Sequence, residues 1–175
     1  MKFEHILTAF EAEPWAIQRE KLAVLADVLA ARVAGDKLVT PEFAAAVSDA
    51  RAKEIAEIDG KVAVIPVYGV LADRMDLFSA MSGGTSYAGI KRQVHKALSN
   101  EDVKAVVLDI DSPGGSVPGT DELATEIRKL RGGEKPIIAQ VNSLAASAAY
   151  WIASSADEIV AVSYTHLTLP TKRIV

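Results

Sequence analysis

Four short β-branched runs, each separated from the next by a stretch of helical character, limit what this chain can fold into. They are "VAVIPVYGVL" (62–71), "KAVVLDID" (104–111), "KPIIAQV" (135–141) and "EIVAV" (158–162), and each reads as a strand. In "TSYAGIKRQVHKALSN" (85–100), Thr85 or Ser86 can cap a helix with Ile90, Val94 and Leu98 on one face. Thr120 can cap the next helix. Asp121 and Glu122 stand in its first turn, Lys129 and Arg131 in its last, and Gly132-Gly133 closes it, so its charges follow the helix dipole. "AASAAYWIASS" reads as a third helix. Alternation over residues 61–162 predicts an α/β domain with a mostly parallel sheet. The apolar core of the second run predicts a strand buried on both faces, and Pro66 predicts an edge strand or a strand end.

Residues 1–60 have a different character. Pro14 suits a first helical turn, and Trp15, Leu22, Leu25, Val28 and Leu29 recur at helical spacing as far as Gly35. "TPEF" sets Thr40 as N-cap and Pro41 at the first helical position of a second helix to about Ile58, with a turn at Asp59-Gly60. This is an N-terminal helical extension, expected to serve packing or oligomerisation. Residues 72–84 read as a loop.

Composition removes several functions. Net charge is −4, residues 1–60 hold 7 Lys+Arg against 11 Asp+Glu, and the remainder balances at 12 against 12. No basic excess is available to neutralise phosphates, so no nucleic-acid partner is expected. The absence of cysteine removes disulfides, thiolate metal sites and Cys nucleophiles. His5, His95 and His166 share no metal-ligand spacing. No metal and no cofactor are expected. Glu4, Glu11 and Glu13 interrupt any leader-like run, and no stretch approaches the roughly 20 apolar residues of a membrane span. The chain reads as cytoplasmic, with no membrane partner.

Ligands of open α/β sheets sit beyond the C-terminal strand ends, and two segments fall there. "DSPGGSVPG" places Gly114 and Gly115 after Pro113. Paired glycines can turn their N–H groups outward as an oxyanion hole, or form a plain tight turn. "NSLAAS" leads into the third helix, with Ser147 at its start beside the N–H of Ala148. Exposed N–H groups there favour an anion. Alternatively, Ser147 merely caps the helix, or the alanines exist for helix–sheet packing.

Together, "LDIDSPGGSVPG" and "NSLAASAAYWIASSADEIVAV" resemble the signal peptide peptidase A-type serine peptidases, above all the phage and prophage head-maturation proteases of the protein C type. "VAVIPVYGVL", "MSGGTSYAGIKRQVHKALSNEDVKAVVLDID" and the "PWAI" opening resemble that branch as well. The resemblance implies a Clp/crotonase-like fold of ββα units, a Ser–Lys dyad, homo-oligomeric assembly, and a protein or peptide substrate such as capsid or scaffold proteins. It implies Ser147 as nucleophile and backbone N–H groups of Gly114, Gly115 and Ala148 as oxyanion hole. In the family a lysine well downstream of the serine acts as base.

That lysine is absent here. Only Lys172 follows Ser147, inside "SYTHLTLPTKRIV", which resembles adapter read-through fused to a truncated frame. Residues 163–175 are therefore expected to be a non-native tail, leaving residues 61–162 as the N-terminal part of the peptidase domain. Lys172 and His166 carry no catalytic expectation. His95 is expected on a solvated helix face, Asp111 as a turn cap, and Lys61, Lys104 and Lys135 at strand starts away from Ser147. As written, the chain is expected to be catalytically incomplete. Two other functions stay open: a crotonase-type acyl-CoA enzyme with the same two-amide hole, and a non-catalytic assembly protein.

Overall fold

The computed structural model describes Thr8 and residues 10–34, 57–59, 61–73, 84–162 and 166–168. The strands are β1 (Trp15–Ile17), β2 (Glu57–Asp59), β3 (Val62–Ala72), β4 (Thr85–Ser86), β5 (Ala105–Ser116), β6 (Ile137–Ala146), β7 (Glu158–Ala161) and β8 (His166–Thr168). The helices are α1 (Arg19–Ala34), α2 (Tyr87–Ser99), α3 (Thr120–Leu130) and α4 (Ala148–Ala153). All these strands join one sheet of order β2-β3-β5-β6-β7, with β1 on β5, β4 on β3 and β8 on β6. Neighbours along β3-β5-β6-β7 are parallel, and β1 and β2 are antiparallel additions. The expected mostly parallel α/β sheet is present.

Side-chain alternation along the strands places the core. Ala63, Ile65 and Val67 of β3, Val106, Leu108 and Ile110 of β5, and Ile137, Ala139 and Val141 of β6 are buried. They pack in one cluster with Ile90 and Val94 of α2, Leu123 and Ile127 of α3, and Ala149 and Ile152 of α4. Each such Val, Leu or Ile side chain contributes about 1.5–3 kcal/mol on burial. The intervening Val107, Asp109, Ile138 and Gln140 are only half-buried. The expectation of two buried faces for the second run is thus corrected: same-handed crossovers gather the helices on one side of the sheet. Pro66 lies past the Val62–Val64 stretch that pairs with β2, so its missing N–H interrupts no ladder there.

The caps differ in one respect from expectation. Ser86 is the N-cap of α2, its side chain accepting from the Gly89 N–H at 3.0 Å. Thr120 is inside α3, and Gly119, at φ 87°, holds the N-cap position. The Thr120 hydroxyl instead lies 2.8 Å from the Ser116 carbonyl and 2.9 Å from the Tyr87 hydroxyl, which donates to the same carbonyl at 2.7 Å. Tertiary partners outcompete the local cap. Arg128 and Lys129 occupy the last turn of α3, with Arg131 as C-cap and Gly132 following at φ 68°.

The N-terminal extension departs further. Trp15 is not helical; Trp15–Ile17 pairs with Gly114–Ser116, and α1 begins only at Arg19. Helical spacing is a weak signal over three residues when a free sheet edge offers a full set of hydrogen bonds. Ile17, Leu25 and Val70 form a second small cluster flanked by Phe10, Trp15 and Leu22. The Trp15 indole donates to the Phe10 carbonyl at 3.0 Å. The helix expected from Thr40 lies outside the described residues except at its end, where Glu57–Asp59 is the strand β2. The Asp59↔Val62 pair brackets the expected turn. Most of the 72–84 loop also lies outside the described residues.

Candidate active site

Both segments expected beyond the strand ends are themselves extended strand. β5 continues through "SPGG" to Ser116, pairing Val70↔Gly114 and Leu71↔Gly115 after a register shift past Tyr68. β6 continues through "NSLAA", pairing Ser112↔Ala145 after a shift past Ile110. The sheet therefore reaches about five residues beyond the apolar runs at β5 and β6, because backbone pairing needs no hydrophobic side chain. The tight-turn alternative for Gly114-Gly115 is excluded.

Ser147 stands at the point where β6 turns into α4. Its backbone has φ 55° and ψ −118°, and it is the only non-glycine residue with positive φ among those described. Such a conformation costs of order 1–3 kcal/mol and persists where surrounding structure enforces it. A serine on a strained strand-to-helix turn is the geometry of a nucleophile elbow. The capping alternative fails, since Ser147 makes no side-chain cap hydrogen bond. Its Oγ is buried with no hydrogen-bond partner among the described residues. The packing account of the alanines holds alongside: Ala148 and Ala149 are fully buried, with α4 against β5 and β6.

Gly114 lies directly against this serine. It has φ 105°, and a Cβ placed on it would stand 3.0 Å from the Ser147 Cβ, 3.0 Å from the Ala146 carbonyl oxygen and 2.3 Å from the Ala16 carbonyl oxygen. A Cβ on Gly115 would stand 1.9 Å from the Leu71 carbonyl oxygen. Only glycine fits either position. Of the candidate residues, Gly114 is thus set directly against Ser147, while Gly115 packs against Leu71 of β3.

Residues missed from sequence hold the segment in place. Ser112, fully buried, donates to the Gly69 carbonyl at 2.6 Å and accepts from the Gly114 N–H at 3.2 Å. That is the role expected of Asp111, which instead accepts from the Ser143 hydroxyl at 2.5 Å on the exposed side. Strand alternation carries Asp111 outward and Ser112 inward, a difference readable only once "SPGG" is known to be strand. Asp109 accepts from the Tyr68 hydroxyl and from the Asn142 amide. Partial burial, then the Asp109 hydrogen bond and the charges of Asp109 and Asp111, push the Tyr68 phenol up to about 12.

Lys61, Lys104, Lys135 and His95 stay away from Ser147, whereas His166 lies on a strand beside it. Lys104 Nζ donates to the Glu101 carbonyl, and Lys135 Nζ to the Leu98 and Asn100 carbonyls, all before the N-terminal ends of the strands. Lys61 precedes β3. His95 meets Glu126 at 3.0 Å on an exposed helix seam. His166 opens β8, whose residues pair with Leu144–Ala146. No metal-binding group of His, Asp or Glu occurs among the described residues. No described helix is long and apolar enough to cross a membrane. A cavity of about 400 Å³ opens at Ser147, walled by Ala146 and by Ile17, Gln18, Arg19, Glu20 and Leu22 of the N-terminal arm.

Residues 129–168, which contain this strand–Ser147–helix turn, match the family model described as peptidase family S49. The chain also has relatives that match over a longer stretch. It is 37% identical over 108 residues to Protease 4 of Haemophilus influenzae, across 62% of this chain and 17% of that protein. It is 38% identical over 105 residues to the head-tail preconnector protein GP5 of Enterobacteria phage P21, across 60% and 21%. To capsid assembly protease C of Escherichia phage lambda it is 33% identical over 131 residues, across 71% and 30%. The chain thus spans between 17% and 30% of the length of these relatives. Among solved structures it is similar to an enoyl-CoA hydratase from Mycobacterium smegmatis, at 14% identity and a TM-score of 0.46, covering 62% of this chain and 46% of that one.

Proposed function

We propose that residues 61–162 supply the nucleophile and oxyanion hole of a serine endopeptidase. The observation that carries this is the strained backbone of Ser147, with its uncapped, buried hydroxyl against Gly114. Strain at a non-glycine residue is costly and is retained where it aims a reactive group. In this reading the Ser147 Oγ attacks a scissile carbonyl, and N–H groups of Gly115 and Ala148 hold the oxygen as charge develops, whereas the Gly114 N–H, expected as a third donor, is engaged by the Ser112 Oγ. A lysine from outside the described residues accepts the hydroxyl proton and delivers it to the leaving amine, and water then releases the acyl-enzyme. Among the relatives, the phage lambda protein named for capsid assembly and the phage P21 preconnector suggest assembly proteins as substrates. A homo-oligomer working within a prohead in the host cytoplasm suits that role.

Residues 163–175 belong in this proposal to a foreign tail. The test begins by reading the gene from intact DNA past the codon for Val162. The proposal requires the frame to reach a lysine, and the product to digest casein. Ser147→Ala in that product should lower the rate by roughly 10³-fold or more, as loss of a nucleophile does. Unchanged cleavage by Ser147→Ala removes the proposal and leaves the non-catalytic assembly role.

A further inference from the structure

β5 changes partner where the site lies. Up to Ser112 its edge pairs with β6, which then ends at Ala146 and turns away at Ser147. The vacated edge is taken by β1, with Trp15↔Ser116, Ala16↔Gly115 and Ile17↔Gly114 in antiparallel register. Flanking bonds extend the pairing, since the Gln18 N–H donates to the Pro113 carbonyl at 3.1 Å and the Val117 N–H to the Pro14 carbonyl at 2.9 Å. Antiparallel ladders alternate exchanging and non-exchanging pairs, so Ala16/Gly115 is the exchanging pair between these two. The Gly115 N–H is therefore directed at the Ala16 carbonyl.

That carbonyl lies beside the candidate nucleophile. The Ala16 oxygen and the Ser147 Cβ both lie within 3.0 Å of the point at which a Gly114 Cβ would stand. Ser147 is only 3% exposed, and Ile17 to Glu20 wall the cavity beside it. An extended peptide added to this edge would use the same Pro113–Val117 donors and acceptors. Two strands cannot share them. The arm packs in the small cluster of Ile17, Leu25 and Val70 rather than in the main core, so it can detach while the sheet stays intact.

We propose that Pro14–Gln18 is an intramolecular occupant of the peptide-binding edge, a pseudosubstrate strand that must leave before another extended peptide enters. The edge fits a partner with a small residue at the register of Ala16 and a branched apolar one at that of Ile17. This rests on Ser147 being the nucleophile, yet its test reads access rather than catalysis. The chain has no cysteine, so Ser147→Cys introduces a single thiol whose rate of reaction with a chromogenic aromatic disulfide reports exposure. Ala16→Pro in that background removes an N–H from the exchanging pair. The rate should rise at least roughly tenfold, the factor that ~1.4 kcal/mol of lost pairing supplies. A synthetic peptide of residues 13–18, EPWAIQ, should slow it again. Ile17→Asp is the second variant, and amide exchange in β5 and β6 reports the fold. Equal rates with the fold intact, or no protection by the peptide, overturn the proposal. So does collapse of the sheet in both variants, since the arm would then be part of the core. Casein digestion with an unprotected thiol would remove the occupancy alone and leave the peptidase reading standing.

Discussion

Gly115→Ala tests whether the extended "SPGG" segment is held by its neighbours or merely rests on them. The new Cβ would stand 1.9 Å from the Leu71 carbonyl oxygen, 2.5 Å from its carbon and 2.6 Å from its Cα. All three are backbone atoms of β3, so no side-chain rotation relieves the clash, and β3 must move by more than an ångström. Overpacking of this kind costs about 1–3 kcal/mol. Displacing β3 also weakens the Val70↔Gly114 and Leu71↔Gly115 pairings and the adjoining Leu71↔Thr85 pair. Two lost backbone hydrogen bonds add roughly 2 kcal/mol. The expected loss is therefore about 3–5 kcal/mol out of the roughly 5–15 available to a domain. In urea unfolding this lowers the midpoint by roughly 2 M for a slope near 2 kcal/mol/M. Gly132→Ala is the control, because Gly132 has φ 68° and nothing within 4 Å of its would-be Cβ. It should cost only the left-handed penalty of about 1–2 kcal/mol. If Gly115→Ala is no worse than Gly132→Ala, the reasoning from close backbone approach is refuted.

Other outcomes follow from single contacts. Ser112→Ala leaves the Gly114 N–H without its acceptor in a buried site, and should cost about 1–3 kcal/mol in denaturant unfolding while speeding exchange of that amide in native protein. Ser86→Ala removes the N-cap of α2 and should cost about 1 kcal/mol, restored in large part by Ser86→Asp. The Tyr68 phenol is raised from 10.0 to about 12, so the folded state keeps its proton where the unfolded chain has lost it. That contribution to stability is constant below pH 10 and declines as pH rises from about 10 through about 12. Tyr68→Phe should flatten this decline and remove one late-titrating phenol from the alkaline ultraviolet titration; loss instead of a phenol that titrates at the ordinary tyrosine value would contradict the Tyr68–Asp109 contact.

The elements most legible in the sequence were those whose signal is local. Ile90 and Val94 at helical spacing, and Val106, Leu108 and Ile110 at strand spacing, marked α2 and β5 because their periodicities record which side faces a core. Gly114, Gly115 and Ser147 stood out as small or nucleophilic residues after such strands, and the fold sets Gly114 against Ser147. Where the reading failed, a distant partner had decided the conformation. Trp15–Ile17 is a strand because the edge of β5 is vacant there, and nothing in three residues records a vacancy about a hundred positions away. Thr120 gives up its cap to bond Ser116 and Tyr87. Ser112 rather than Asp111 steadies Gly114, because alternation through an extended "SPGG" sends one inward and the other out.

By itself, then, the order of residues determined an α/β chain with a parallel sheet and its helix-facing positions, and marked the serine and glycines as candidates, since propensity and periodicity are properties of neighbouring residues. Only tertiary structure decided the strain at Ser147, the contact between Gly114 and that serine, and the arm lying across them. Each of these is a meeting of segments far apart in the chain, and backbone hydrogen bonding, which makes the meeting possible, is indifferent to side-chain identity.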